Sequence, residues 1–160
     1  AEVNSEGIFS IIDRKKNIVK LSNGEYIALE KLEARYKASN VINQILVYAD
    51  PKETYIVALI NPLEKSLPEL AKIAGLSENE HPDVICENKK VVKYILEDLK
   101  KINLQNNLTS VEMISNIRVL SELWTPENNY LTAAQKLRRN YIIEQEKQHL
   151  NEMYQEGKII

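Results

Sequence analysis

Residues 11–33 read IIDRKKNIVKLSNGEYIALEKLE, and they set the fold reading for everything that follows. Ile8, Ile12, Ile18 and Val19 bracket the charged run Asp13–Asn17 as the arms of a hairpin would. Asn23–Gly24 supplies the backbone freedom of a tight loop. Leu29, Leu32 and Tyr36 then recur at helical spacing. Further along, Ile45–Ala49 and Tyr55–Ile60 are β-branched runs separated by Asp50–Pro51, which predicts a second strand pair. Pro68 opens a short helix through about Ile73, and Gly75 stops it. Residues 80–90 are polar, with a break at His81–Pro82. Val91, Val92, Ile95, Leu96, Leu99 and Ile102 form one face of a longer helix. Ile114–Leu120 reads as a strand, and Glu127–Asn129 as a turn before a terminal helix starting within 133–139 and ending near Gln155. Strands loosely alternating with helices predict a two-layer α/β (α+β) domain, a small sheet with hairpins flanked by helices.

The whole chain narrows the function classes. Its 160 residues suit one domain with one core. An apolar share of 44% and a charged share of 28% are ordinary for a globular protein. A net charge of −2 gives no broad attraction to nucleic acid or anionic lipid. No apolar run approaches the roughly 20 residues that cross a bilayer, and nothing resembles a secretory signal. Cys86 is the single cysteine, so no internal disulfide forms, and it reads as structural. His81 and His149 are far apart, and no Cys/His spacing supports a metal site. The opening AEVNSEG looks like the interior of a longer sequence.

Two basic segments stand out. Arg14, Lys15, Lys16 and Lys20 precede Asn23–Gly24, and cations beside a glycine loop suit phosphate groups. Taken alone, such a cluster is more often a solvated turn, and no second basic stripe or aromatic platform accompanies it for nucleic acid. The second segment is TAAQKLRR, Thr132–Arg139. Taken alone, Thr132 and Gln135 fit a capping box, with Lys136 decorating the first helical turn.

Together the two segments resemble the lysine-bearing motifs in the C-terminal domain of acyl-CoA synthetases, within the adenylate-forming superfamily. GEY followed by ALEKLE, together with TAAQKLRR, is most similar to the long-chain fatty acid–CoA ligases. The resemblance covers at least Ile8–Tyr48 and Leu123–Asn140. One departure is Gln135, where most of the superfamily has glycine; eukaryotic-type long-chain ligases share the present pattern.

The resemblance implies a role for each matching residue. Lys136 is the catalytic lysine of adenylation, its ammonium aimed at the attacking carboxylate and the α-phosphate, where negative charge builds up. Lys20 is the catalytic lysine of the second, thioester-forming step. Arg14 lies near the nucleotide, and Lys16 is the hinge whose torsions change as the domain rotates. Gly24 and Glu25 flank the CoA pantetheine channel, and Lys15 is a candidate for the CoA 3′-phosphate. Glu30 and Glu33 match acids at the start of the next helix, where a favourable interaction with the helix dipole suffices. Trp124 matches a segment before the lysine loop and reads as a packing residue.

Residues 1–160 would then be a single C-terminal lid domain, with residues 8–24 as hinge and active-site loop. A large N-terminal ATP- and acyl-binding domain would lie outside the sequence. ATP and CoA are the implied substrates beside the fatty acid, with Mg2+ held by that other domain and none of these bound by the lid alone. The lid's partner is the enzyme's own N-terminal domain, with no nucleic acid and no transmembrane segment. The implied location is the cytoplasm or the cytosolic face of an intracellular membrane. Two alternatives stay open on the residues: a non-catalytic α/β interaction module, and the lid of an adenylate-forming enzyme for another carboxylic acid.

Overall fold

A computed structural model describes residues 18–107 and 109–157. Strands β1 (Ile18–Lys20) and β2 (Tyr26–Ala28) form an antiparallel ribbon, with Val19 opposite Ile27 and Lys20 opposite Tyr26. The first arm of the expected hairpin and its turn at Asp13–Asn17 lie outside the described residues. Within them, β1 pairs with β2 across the Asn23–Gly24 loop. Helix α1 (Leu29–Tyr36) follows directly, as its apolar spacing predicts.

The central sheet has three strands in the order β3-β4-β5: β3 (Ile42–Ala49), β4 (Ile56–Pro62) and β5 (Ile114–Val119). β3 and β4 are antiparallel, whereas β4 and β5 are parallel. The parallel crossover holds α2 (Leu67–Ile73), α3 (Pro82–Glu87) and α4 (Lys89–Gln105). Two helices close the chain, α5 (Arg139–Gln145) and α6 (Lys147–Glu156).

All seven residues of β4 are buried. Strand alternation divides them between two cores: Ile56, Ala58 and Ile60 face one, and Val57 and Leu59 the other. The first core is completed by Leu32 and Tyr36 of α1 and by Val91, Ile95, Leu96 and Leu99 of α4. The second holds Leu46, Trp124, Leu131, Ile142, Leu150 and Met153. The sheet is therefore covered on both faces, giving three layers where the sequence pattern predicts two. The second layer escaped the pattern because its apolar residues are spread over a long loop and two short helices.

Helix α4 shows what holds the first layer. The Asn88 side chain accepts the Lys90 amide at 2.8 Å as its cap. Each buried aliphatic on its inner face contributes roughly 1.5–3 kcal/mol, far more than the few tenths available to a surface charge pair. Two further expectations are corrected. The polar stretch 80–90 contains α3, whose start is capped by the His81 ring accepting the Asp83 amide at 3.1 Å, with Ile85 and Cys86 buried beneath. The terminal helix is two helices, separated at Glu146.

Candidate functional site

The loop bearing Lys136 is built from its anchors outward. Trp124 is 2% exposed, and its backbone is tied to β3 by a reciprocal pair. Its amide donates to Gln44 Oε1 at 3.0 Å, and Gln44 Nε2 donates to its carbonyl at 2.8 Å. The Asn128 side chain then accepts the amides of Thr125 and Tyr130 and donates to the Leu123 carbonyl. The Tyr130 ring lies 6.1 Å from Trp124, and its hydroxyl donates to the Glu146 carboxylate. Burial first, and that carboxylate second, push the Tyr130 phenol well above its ordinary range.

From this base a small hairpin projects, closed by the bridge between Leu131 and Leu137. The Thr132 amide donates to the Lys136 carbonyl at 2.8 Å, and the Lys136 amide donates to Thr132 Oγ1 at 3.2 Å. Gln135 has φ 65°, the left-handed region. No capping box forms at Thr132, and Lys136 lies outside any helix, because α5 begins only at Arg139. The Lys136 side chain is exposed, with no ion pair among the described residues. It lines an open cleft of about 650 Å³ with Glu30, Lys37, Gln44, Glu33 and Arg139.

Beneath Lys136 lies a contact that the motif reading missed. Arg139 and Glu33 form a two-pronged ion pair, Nη1–Oε2 at 2.9 Å and Nη2–Oε1 at 2.7 Å. Glu33 is 7% exposed, so it is a buried partner and not a solvated acid answering the helix dipole. The signal was available, since Leu29, Leu32, Glu33 and Tyr36 fall on a single helical stripe.

Lys20 sits elsewhere. Its ammonium lies 5.8 Å from the centroid of the exposed Tyr26 ring, a cation–π contact from the facing strand. The loop between them is pinned by Leu21 N donating to Glu25 O at 2.8 Å and Glu25 N to Asn23 Oδ1 at 3.1 Å. Gly24 takes φ 88° with open space around it, a torsion that favours glycine. Ser22 fastens this loop to the β3–β4 turn through the Glu53 carbonyl.

The structure therefore keeps the two lysines apart. The Lys136 cleft includes Asn43, Gln44 and Ile45 at the beginning of β3, while the Lys20 loop is tied beyond its end. The eight residues of β3 span roughly 25 Å at about 3.3 Å each. Arg14, Lys15 and Lys16 lie outside the described residues. No three His, Cys, Asp or Glu side chains among the described residues group as a metal site, and no described helix is long and apolar enough to cross a membrane. Cys86 is buried, and burial ahead of nearby Asp83 and Glu87 pushes its thiol up to about 11. That is the profile of an inert packing thiol.

No protein-family model matches the chain. Whole-protein relatives do. Long-chain-fatty-acid–CoA ligase 1 of Schizosaccharomyces pombe is 43% identical over 156 residues, covering 97% of this chain and 23% of that protein. Long chain acyl-CoA synthetase 8 of Arabidopsis thaliana is 40% identical, over 93% of this chain and 21% of its own length. Among solved structures, the A domain of carboxylic acid reductase from Segniliparus rugosus, in complex with AMP and a co-purified carboxylic acid, superposes with a TM-score of 0.74. It shares 29% identity, over 89% of this chain and 20% of that one. The chain spans about a fifth of the length of the curated relatives it matches. Over nearly all of its own length it is a homologue of the long-chain acyl-CoA synthetases.

Proposed function

We propose that this homologue of long-chain acyl-CoA synthetases is the mobile C-terminal lid of a larger enzyme that converts fatty acid, ATP and CoA to acyl-CoA, AMP and pyrophosphate. The observation that carries the reading is the separation of two exposed lysines onto two pinned loops at opposite ends of β3. Such a lid serves two half-reactions by rotating, showing one loop at a time to a single pocket.

In the first half-reaction a carboxylate oxygen attacks the α-phosphorus of ATP and pyrophosphate leaves. Lys136, on an exposed hairpin with a fixed backbone and with no ion pair among the described residues, is the group assigned to meet the charge gathering on those oxygens. In the second, the CoA sulfur attacks the acyl carbon and AMP leaves, with Lys20 presented from the ribbon and Gly24 and Glu25 beside the incoming pantetheine. Gly24 has no side chain to obstruct that approach. Arg14 near the nucleotide and Lys16 as hinge belong to the same proposal. Mg2+ is assigned, within the same proposal, to the rest of the enzyme. The proposed setting is the cytoplasm or the cytosolic face of an intracellular membrane.

The test uses the full enzyme. Lys136→Ala is expected to lower fatty acid–dependent pyrophosphate release by about 100- to 1,000-fold, the scale seen on losing a transition-state donor. Lys20→Ala is expected to spare that step and slow acyl-CoA formation from acyl-adenylate. Loss of the same step in both variants would refute the two-loop assignment. The 160-residue chain alone is expected to form no AMP with fatty acid and ATP. A folded full enzyme that activates only other carboxylic acids would replace the fatty-acid reading.

A further inference from the structure

Among the described residues β3 is an edge strand, paired only with β4. At Val47 its outward-facing backbone groups would be left without a strand partner. Two side chains take that place. Glu33 Oε2 accepts the Val47 amide at 2.8 Å, and Arg139 Nη1 donates to the Val47 carbonyl at 3.2 Å. The same two side chains bind each other at 2.7 and 2.9 Å. The result is a closed ring of contacts joining α1, the free edge of β3 and the first residue of α5. Its members are 106 positions apart in sequence, and the Arg139 side chain is only 16% exposed.

Arg139 lies three residues after Lys136. The hairpin between them and Leu131 is closed at its base by the Leu131–Leu137 bridge, and Leu131 is buried in the second core. The first leg of the hairpin is therefore held by packing, and the second by Leu137 against the same core, by the Arg138 amide donating to the Tyr130 carbonyl at 2.9 Å and, one residue on, by the ion pair. We propose that Glu33 and Arg139 are positioning residues for Lys136, fixing where the hairpin leaves the sheet and hence where the ammonium can reach. This rests on the proposed adenylation role of Lys136. A guanidinium suits the task, because its planar fork meets both carboxylate oxygens in one orientation, which an ammonium cannot do.

The experiment compares the two half-reactions in the full enzyme. Arg139→Lys keeps the charge and loses the fork; Glu33→Asp keeps the pair but shortens it by one methylene. A displacement of about 1 Å at a reacting group costs on the order of 100-fold, so Arg139→Lys is expected to lower kcat for pyrophosphate release by about 10- to 100-fold. The KM values for ATP and fatty acid should move little, and acyl-CoA formation from supplied acyl-adenylate should stay within about twofold. Glu33→Asp should show the same pattern more weakly, and it is the operative variant if Arg139→Lys does not fold. Equal losses in both half-reactions, or losses that merely follow Tm, would overturn the proposal in favour of a structural pair. Lys136→Ala runs in parallel. If it abolishes adenylation while Arg139→Lys and Glu33→Asp do not impair it, this inference alone fails. If Lys136→Ala retains adenylation, the underlying reading fails and the inference with it.

Discussion

Gln135 carries an unusual backbone for its side chain. Among the described residues three non-glycine positions have positive φ: Asn107, Asn129 and Gln135. Asparagine tolerates this region through short-range hydrogen bonding, an option a longer side chain largely lacks. The left-handed conformation costs roughly 1–2 kcal/mol, of which glycine's extra freedom in the unfolded chain takes back about 0.5–1. Gln135→Gly is therefore expected to stabilise the protein by about 0.5–1 kcal/mol, seen as a higher urea midpoint at unchanged slope. A lower midpoint would mean that the glutamine side chain contributes more than its backbone costs. Glycine at this place would adopt the observed torsion without strain. At this scale the motif positions were legible and their partners were not. Lys136 and Lys20 could be singled out by pattern, but nothing local links Glu33 to a residue 106 positions away.

Elements were more readable than residues. Helices α1 and α4 follow from apolar periodicity, because each packs one stripe against the first core, whereas α2 follows from Pro68 and Gly75, and β3 and β4 from β-branched runs that serve both cores. The pairing of β5 parallel to β4 was not legible, since periodicity fixes which face is buried and not which neighbour lies alongside. Nor was α3, whose six residues bury only Ile85 and Cys86. The two cores can be told apart through the single tryptophan, Trp124, which belongs to the second. Leu59→Ala and Ile95→Ala are each expected to cost about 2–5 kcal/mol. Only Leu59→Ala should shift the native emission of Trp124 to the red, since Ile95 lies in the other core. A shift in both would show that the sheet does not isolate the layers.

The molecule as a whole holds acids whose neutral forms it favours. Burial is the first cause of a raised pKa at Tyr36, Tyr48, Tyr55, Tyr130 and Tyr154, against an ordinary 10.0. Cys86 rises from 9.0 to about 11 for the same reason. Above those ordinary values the unfolded chain loses protons that the folded one keeps, so stability is complete below about pH 9 and declines as pH rises. Tm should hold level to that point, then fall through pH 9–11, and Cys86→Ala should move the onset toward the tyrosine range. A level Tm through pH 11 would contradict the burial that raises these groups. The global architecture was legible as a small sheet flanked by helices. The terminal helical segment was legible too, but not that it forms a second covering layer, because its core residues are shared between the loop that carries Trp124 and Leu131 and two short helices.

The Glu33–Arg139 pair also bears on the order in which the protein can be completed during synthesis. Glu33 leaves the ribosome long before Arg139, and a carboxylate desolvated without its counter-charge costs about 3–5 kcal/mol. Until Arg139 emerges, α1 can settle against β3 only by accepting that penalty or by keeping Glu33 in water. The nascent chain therefore cannot close α1 over the edge of β3 without cost before Arg139 is present. The segment that carries Lys136 also brings the cation that lets α1 lock into place.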